Sequence, residues 1–293
     1  MPTIHLVRHA QGVHNTSEAA WLQRDPELTD LGRSQCAALA ATFPFQDAVT
    51  HVVASPFRRT LYTALLGFAP ALRRTAGRVT ALALVQEVST LPCDVGSPVP
   101  RLRDEFGDAV DLAGVPDDWY VKARAGPYAP EMAKLEARAH KARLWLRDLV
   151  RPAGGGGGGG EDAHVVLVSH GGFLHFLTGD WEGVFPNKGE STRCPSEGYG
   201  ERAAGIKGLI TVPGTGWENT EYRSYEFADP SGEDETASLR ETKESAERRR
   251  GNATELSATE QRELRAVEQG NLQKLFDAVE QNGTGVNFED GAV

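Results

Sequence analysis

Short apolar segments alternate with amphipathic segments along most of the chain, and this alternation restricts the possible fold more than any other feature. Strands that are apolar on both faces are normally covered by helices on both sides. The strand-like segments are TIHLVRHA (3–10), HVVASP (51–56), RVTALALVQE (78–87), HVVLVSH (164–170) and GIKGLITVP (205–213). The helical stretches between or after them are TDLGRSQCAALAATF (29–43), RRTLYTALLGF (58–68) and GGFLHFLTGDW (171–181). The pattern predicts an α/β fold, a three-layer α/β/α sandwich with a mostly parallel central sheet.

The middle of the chain interrupts this alternation. Residues 131–150 form the longest helical pattern, and the irregular stretch 92–130 precedes it. Together they predict a helical cap inserted at about residues 92–150. The glycine run 154–160 then reads as a flexible linker, since no G-K-[ST] sequence follows it as a phosphate-binding loop would require. A main domain of residues 1–230 is expected.

The C-terminal part differs in composition from the rest. Residues 231–293 carry 8 Lys and Arg against 14 Asp and Glu, which accounts for −6 of the net charge of −10. Within this charged extension, residues 231–254 favour disorder or a solvated helix. Five later apolar residues recur at helical spacing and predict a terminal helix that docks onto the body or binds a partner, docking being favoured. They are Leu264, Val267, Leu272, Leu275 and Val279.

Charge and composition exclude several classes of function. The net charge of −10 disfavours general affinity for nucleic acid or anionic lipid, because both demand basic surface. The sequence contains no run of about 18 apolar residues, so it predicts no membrane span. The N-terminus lacks the charged and apolar regions of a signal peptide, so a cytoplasmic protein is expected. Three cysteines without a C-x-x-C pair argue against a disulfide framework or a thiolate zinc site.

Polar side chains follow four of the predicted strands, at the point where each strand ends. Arg8 and His9 follow the first strand, SPFRRT (55–60) the second, Gln86 and Glu87 the third, and SHGG (169–172) the fourth. Each alone has an ordinary structural explanation, such as a surface pair, a helix start or a tight turn. In open α/β sheets, however, ligands bind beyond the carboxyl ends of the strands. Four such ends in succession therefore predict one functional site.

These segments resemble a known family. LVRHA, SPFRRTLYTA, Glu87 and VSHGGFLH occur in the order and rough spacing of the histidine phosphatase superfamily, also called the phosphoglycerate mutase-like fold. RHAQGVHN, LTDLGRSQC, LPCDVGS and HGGFLHFLTGDW are similar to phosphoglycerate mutase-like proteins of fungi and plants. One departure is Ala10, where the commonest form of the motif has glycine.

The resemblance implies a role for each matching residue. His9 would be the nucleophile, Glu87 the proton donor, and Arg8, Arg59 and His170 the phosphate pocket. Arg59 is preferred to Arg58 because the family pattern S-x-[LF]-x-R-[AT] counts from Ser55. Asn15 matches an asparagine that follows the arginine-histidine motif and would contact phosphate or substrate.

Phosphoryl-transfer chemistry requires the same residue types. Guanidinium groups at Arg8 and Arg59 can clamp the charged oxygens of a phosphomonoester, and a neutral imidazole at His9 can attack phosphorus. His170 can donate hydrogen bonds to the equatorial oxygens, with the N–H groups of Gly171 and Gly172 adding to the anion site. A carboxyl with a raised pKa at Glu87 can protonate the leaving oxygen.

The leading hypothesis is a metal-independent phosphatase that acts on a small phosphorylated metabolite, with no cofactor. A phosphoglycerate-type mutase and a catalytically silent phosphate-binding module remain the alternatives. Two residues stay open: His14 as a contact on the substrate side, and Asp94 as a substitute for Glu87.

Overall fold

A computed structural model describes residues 1–151, 162–184, 215–251 and 254–281, with side chains described as far as residue 274. The glycine run 154–160, the predicted strand 205–213 and Cys194 lie outside these residues. In the described part of the chain, no helix is both long and apolar enough to cross a bilayer.

The described part contains one sheet of seven strands in the order β4-β3-β2-β5-β1-β6-β7. Strands β1 to β5 run parallel, and β6 and β7 join one edge antiparallel. The strands are β1 (Thr3–Arg8), β2 (Val49–Ala54), β3 (Val79–Ala81), β4 (Val110–Asp111), β5 (His164–Ser169), β6 (Tyr222–Phe227) and β7 (Leu239–Glu241).

Eight α-helices accompany the sheet in the described residues. They are α1 (Asp30–Thr42), α2 (Arg58–Gly67), α3 (Ala69–Thr75), α4 (Val99–Phe106), α5 (Met132–Val150), α6 (Gly171–Thr178), α7 (Lys243–Arg250) and α8 (Ala258–Gln281). Thr29 caps α1, because its hydroxyl accepts a hydrogen bond from the Gly32 N–H at 3.0 Å.

The central strand β5 shows why the molecule has three layers. Val165 and Leu167 are buried in one core with side chains of α5 and α6, whereas Val166 and Val168 are buried in a second core with side chains of α1 and α2. Successive side chains of a strand point to opposite faces, so each face carries its own helical layer. The predicted α/β/α sandwich with a mostly parallel sheet is confirmed.

The segment predicted as a cap contributes to the body as well. Strand β4 pairs with β3 at the edge of the sheet, and Leu135, Ala142 and Leu146 of α5 belong to the same core as Ile4. Residues 132–150 therefore form a helix of the sandwich layer, and both this helix and the irregular residues before it contribute side chains near the site described below.

The charged extension is more ordered than its composition predicts. The expectation of disorder or a solvated helix for residues 231–254 is wrong where β7 pairs with β6 and contributes an edge strand. The dense charge is used in ion pairs, because the Arg249 guanidinium lies 3.0 Å from Asp180, 2.6 Å from Glu182 and 2.7 Å from Glu241. Composition alone does not show such partners, which come from distant parts of the chain.

The terminal helix docks onto the body, as its apolar spacing predicts. Leu272 is only 6% exposed and belongs to the core that α5 and α6 share, and Leu264 and Val267 pack against that core. The side chains of Leu275 and Val279 lie outside the described residues.

Candidate active site

The pairing of β1 with β5 brings two histidines together at the carboxyl edge of the sheet. Arg8 is opposite Ser169 in the parallel register, so the next residues, His9 and His170, leave the sheet side by side. Their ring centroids are 5.3 Å apart, and both rings are almost fully buried. Ser55, at the end of the neighbouring strand β2, is held in line because its N–H donates to the Val168 carbonyl at 3.0 Å.

The loop after β1 is tied to helix α2 and returns towards His9. The Ala10 N–H donates to the Thr63 hydroxyl at 3.0 Å. The His14 ring centroid lies 5.3 Å from that of His9, so His14 belongs to the same cluster. Asn15 lies in this loop, and its Oδ1 accepts a hydrogen bond from the Gly12 N–H at 3.0 Å.

The hydrogen bonds of His9 define its tautomer. Nδ1 lies 2.8 Å from the Ala10 carbonyl oxygen, which can only accept, so the proton of the neutral ring is on Nδ1. Burial lowers the pKa of His9 well below its usual value, and the nearby charges of Arg59 and Arg8 lower it further. The ring is therefore neutral at pH 7, and its Nε2 carries a free electron pair for attack on an electrophile.

A fully buried arginine, Arg59, links His170 to an acid. Its Nη2 lies 2.8 Å from Asp94 Oδ1 and donates to His170 Nδ1 at 3.1 Å, while its Nη1 donates to the Cys93 carbonyl at 2.8 Å. Because arginine can only donate, His170 Nδ1 accepts and the proton of that ring is on Nε2. This N–H donates to the Ser55 hydroxyl at 2.9 Å, so a phosphoryl oxygen would have to replace a protein partner there.

Asp94 is fully engaged in this arrangement. One of its oxygens takes the ion pair with Arg59, and the other accepts from the Ser89 hydroxyl at 2.5 Å. A carboxylate with both oxygens occupied in this way orients an arginine and is poorly placed to donate a proton. The geometry thus favours Glu87 over Asp94 as the acid.

Glu87 is held by backbone groups. Its Oε1 accepts from the Val88 N–H at 2.9 Å and from the Phe173 N–H at 3.1 Å, in the first turn of α6. Burial raises the pKa of Glu87, and the negative charge of Asp94 raises it further. Gly172 allows this approach, because a Cβ there would lie 2.7 Å from Glu87 Oε1.

Arg8, which is predicted to bind phosphate, and Arg58, which is not, lie in different surroundings. Arg8 is partly buried at the end of β1; its Nη1 donates to the Trp217 carbonyl, and its Nε is buried without a hydrogen-bond partner in the described residues. Arg58 points away, since it pairs with Glu105 at 2.8 Å and with Glu27 at 2.9 Å. The choice of Arg59 over Arg58 agrees with this placement.

Gly171 begins helix α6 directly after His170, and a side chain there would collide with Thr215, since a Cβ would lie 2.2 Å from the Thr215 hydroxyl. The contribution of the Gly171 N–H to an anion site stays a prediction. The structure shows that close packing against Thr215 requires glycine at this position.

Sequence reasoning missed two cations near this cluster. Lys122 is buried, and its Nζ donates to the carbonyls of Glu87 at 2.8 Å and Ser89 at 2.6 Å. Burial lowers its pKa to about 7. Arg138, on α5, is buried as well and interacts electrostatically with Glu87. Neither belongs to a recognisable motif, so only the folded chain reveals them.

Metal ligands do not converge in the part of the chain that the structure describes: no group of three or more His, Cys, Asp or Glu side chains there could hold an ion. The cluster consists instead of neutral imidazoles, guanidinium groups and one carboxyl with a raised pKa. Such a set can bind an oxyanion, attack it with a nitrogen and protonate a leaving group.

Comparison with known proteins finds relatives that are named as phosphatases. A protein of Schizosaccharomyces pombe named as a probable phosphatase is 28% identical over 141 residues, 47% of this chain and 61% of that protein. Glucosyl-3-phosphoglycerate phosphatase of Mycolicibacterium vanbaalenii is 30% identical over 177 residues, 59% of this chain and 71% of that protein. The chain thus spans less than two thirds of the fission-yeast relative.

A solved structure of a mutant phosphoserine phosphatase from Entamoeba histolytica, in complex with phosphoserine, superimposes with a TM-score of 0.43 at 15% identity. The superposition covers 83% of this chain and 95% of that one. The model of the histidine phosphatase superfamily (branch 1) matches residues 4–199. Since this match covers more than half of the sequence and includes both strand-end histidines, the chain belongs to the histidine phosphatase superfamily, branch 1.

Proposed function

We propose that this protein is a metal-independent phosphatase that hydrolyses a small phosphomonoester through a phosphohistidine intermediate. The observation that carries the proposal is the state of His9, a buried neutral imidazole with its proton on Nδ1, flanked by two arginines and a second neutral histidine. Its relatives are named as phosphatases, and this supports the same reaction class.

In the first step, His9 Nε2 forms a bond to phosphorus while the bond from phosphorus to the ester oxygen breaks. Arg8 and Arg59 neutralise the phosphoryl charge, and the His170 Nε2–H, the Asn15 side chain and the Gly171 N–H add hydrogen bonds. The carboxyl proton of Glu87 moves to the leaving oxygen, which departs as an alcohol.

The hydrogen bond from His9 Nδ1–H to the Ala10 carbonyl then gains importance. Once Nε2 bears the phosphoryl group, the ring is positively charged, and the Ala10 carbonyl 2.8 Å away stabilises that charge. In the second step, the Glu87 carboxylate takes a proton from water, the water oxygen bonds to phosphorus, and the bond from phosphorus to nitrogen breaks. Inorganic phosphate leaves, and His9 is again neutral.

We also propose a closer relationship to one group within the superfamily. The segments LPCDVGS and HGGFLHFLTGDW support placing the chain beside the phosphoglycerate mutase-like proteins of fungi and plants. We also place its substrate, a small phosphorylated metabolite, in the cytoplasm, where cysteines without paired spacing suit a reducing environment.

Phosphate release from a panel of phosphorylated metabolites tests the proposal. His9→Ala should abolish release. His51→Ala should retain it, because His51 lies in the first half of strand β2, away from the carboxyl edge of the sheet where His9 lies. Activity should survive EDTA and be inhibited by vanadate. Near wild-type turnover by His9→Ala would refute the covalent mechanism, and loss on chelation restored by zinc or magnesium would indicate a metallophosphatase.

A further inference from the structure

Arg138 is a buried cation without a hydrogen-bonded counterpart in the described part of the chain. The residue is 3% exposed, and none of its three guanidinium nitrogens has a hydrogen-bond partner among the described residues. Buried charges in proteins are normally paired, because removal of an ion from water is costly. An arginine with five unused N–H donors in this position therefore requires an explanation.

The position of Arg138 connects it to the leaving-group side of the centre. Its guanidinium carbon lies 4.5 Å from the centroid of the Phe173 ring. The backbone N–H of the same Phe173 donates to Glu87 Oε1 at 3.1 Å. Glu87 is the residue assigned above to protonate the leaving oxygen, so Phe173 connects Arg138 to the acid on the leaving-group side of the proposed centre.

The described residues do not satisfy the hydrogen-bonding capacity of this guanidinium. The stacking contact with Phe173 offsets only part of the cost of burial. Glu87 is close enough to interact electrostatically but forms no hydrogen bond with Arg138, and its Oε1 already accepts two backbone N–H groups. Burial lowers the pKa of Arg138 to about 9, so the side chain remains charged at pH 7.

Enclosure does not separate Arg138 from the reaction centre. His9 is 2% exposed and Arg59 is fully buried, so the residues proposed to bind phosphate are enclosed to the same degree. Arg138 also interacts electrostatically with Glu87 and with Lys122, so it belongs to the same buried cluster of charged side chains.

We propose that Arg138 binds a carboxylate on the leaving group, so that the substrate class is phosphomonoesters that also carry a carboxylate. A guanidinium fork matches a carboxylate with two parallel hydrogen bonds and equal, opposite charge. A second phosphoryl group would bring nearly two negative charges, whereas Arg138 offers one positive charge, so a carboxylate matches it better. The inference rests on the proposed phosphatase function and narrows its substrate.

The test compares 3-phosphoglycerate with glycerol 3-phosphate, which has a hydroxymethyl group in place of the carboxylate. In the wild type, kcat/KM should be roughly 10- to 100-fold higher for 3-phosphoglycerate, as expected for a charge-assisted hydrogen-bonded pair. Arg138→Met should bring the ratio of the two kcat/KM values close to one, and Arg138→Lys should give an intermediate ratio. Lys141→Met, which removes an exposed cation from the same helix, should keep the wild-type ratio.

A melting curve separates folding from recognition. Arg138→Met removes an uncompensated buried charge and should not lower the melting temperature. If that variant fails to fold, Arg138→Lys decides the matter alone, because the ammonium keeps the charge but loses the fork. A wild-type ratio near one, or an unchanged ratio in the Arg138 variants, would overturn the inference.

Binding to His9→Ala keeps this test independent of catalysis. Calorimetry on that variant should show tighter binding of 3-phosphoglycerate than of glycerol 3-phosphate, and Arg138→Met in the same background should remove the difference. Phosphate release that depends on His9 but shows no carboxylate preference refutes the role of Arg138 and leaves the phosphatase function intact. Absence of His9-dependent release, with the binding difference present, refutes the phosphatase function alone.

Discussion

Glu87→Gln tests the proton donor with little change in shape. In the structure, Glu87 Oε1 accepts two backbone hydrogen bonds, from Val88 N at 2.9 Å and Phe173 N at 3.1 Å. The carbonyl oxygen of glutamine can accept both, which leaves its amide nitrogen in the place of Oε2. The substitution therefore keeps the side chain in position and removes only the transferable proton.

The expected loss depends on the leaving group. For an alkyl phosphate, whose alkoxide is strongly basic, loss of general acid catalysis should slow phosphoenzyme formation by about 10²- to 10⁴-fold. This corresponds to about 3 to 5 kcal/mol in the activation free energy. p-Nitrophenolate departs with little protonation, so the same variant should lose less than about tenfold with p-nitrophenyl phosphate.

Single-turnover kinetics over a range of pH provide the assay. Phosphoenzyme formation requires protonated Glu87, so the wild-type rate should fall as the pH rises through the raised pKa of Glu87. Glu87→Gln cannot ionise and should lack this alkaline decline. On the acid side, the lowered pKa of His9 keeps the nucleophile neutral and should keep the rate high to well below pH 6.5.

An equal loss with both substrates would refute proton donation by Glu87 and leave it a role in shaping the pocket. The same conclusion would follow if the alkaline decline persisted in the variant. Asp94 would then be the next acid to replace, even though Arg59 and Ser89 occupy its two oxygens.

Three further substitutions test contacts around the centre and in the core. Asp94→Asn leaves a fully buried arginine without its charged partner and should lower the free energy of unfolding by about 3 to 5 kcal/mol; denaturant unfolding with wild-type stability would contradict this. Gly172→Ala places a Cβ 2.7 Å from Glu87 Oε1 and should lower kcat more for an alkyl phosphate than for p-nitrophenyl phosphate; equal effects would mean that Glu87 adjusts without loss of function. Leu272→Ala should cost about 2 to 5 kcal/mol in the free energy of unfolding if α8 docks as described. The exposed Leu66→Ala should change it by less than about 0.5 kcal/mol, and a similar value for Leu272 would contradict the docking.

The residues at the strand ends could be predicted because their placement follows from the topology. Parallel strands with apolar residues on both faces emerge at one edge of the sheet, and the register that pairs Arg8 with Ser169 then makes His9 and His170 neighbours. The local pattern of each strand contains this information, so the α/β/α layers and the histidine pair are predictable without the structure. The roles assigned to these residues remain predictions until the substitutions are measured.

Other features depend on contacts between distant parts of the chain. Strand β6 was not predicted, because YRSYEF mixes polar and apolar residues, and its place in the sheet comes from antiparallel pairing with β1. Strand β7 and helix α7 read as solvated because the acidic partners of Arg249 lie up to 69 residues away. Lys122 reaches the carbonyl of Glu87 across 35 residues. No local pattern encodes such pairings, so hydropathy and motif spacing miss them.

Among the described residues, more buried cations than hydrogen-bonded carboxylates surround the centre. This charge imbalance affects ligand binding directly. Asp94 offsets Arg59, but Arg138 has no hydrogen-bonded counterpart among the described side chains, and the raised pKa of Glu87 favours its neutral form. Unpaired buried ions cost several kcal/mol each, so binding of the proposed dianionic phosphomonoester would relieve part of that cost. Burial lowers the pKa of His9 most, and the charges of Arg59 and Arg8 lower it further, so in the proposed mechanism these two arginines both bind the phosphoryl group and help to keep the nucleophile neutral. Loss of Arg59 or Arg8 should therefore raise the pKa of His9 as well as weaken phosphate binding; in an Arg59→Met variant, NMR titration of the His9 ring would measure the first effect and phosphate binding by calorimetry the second.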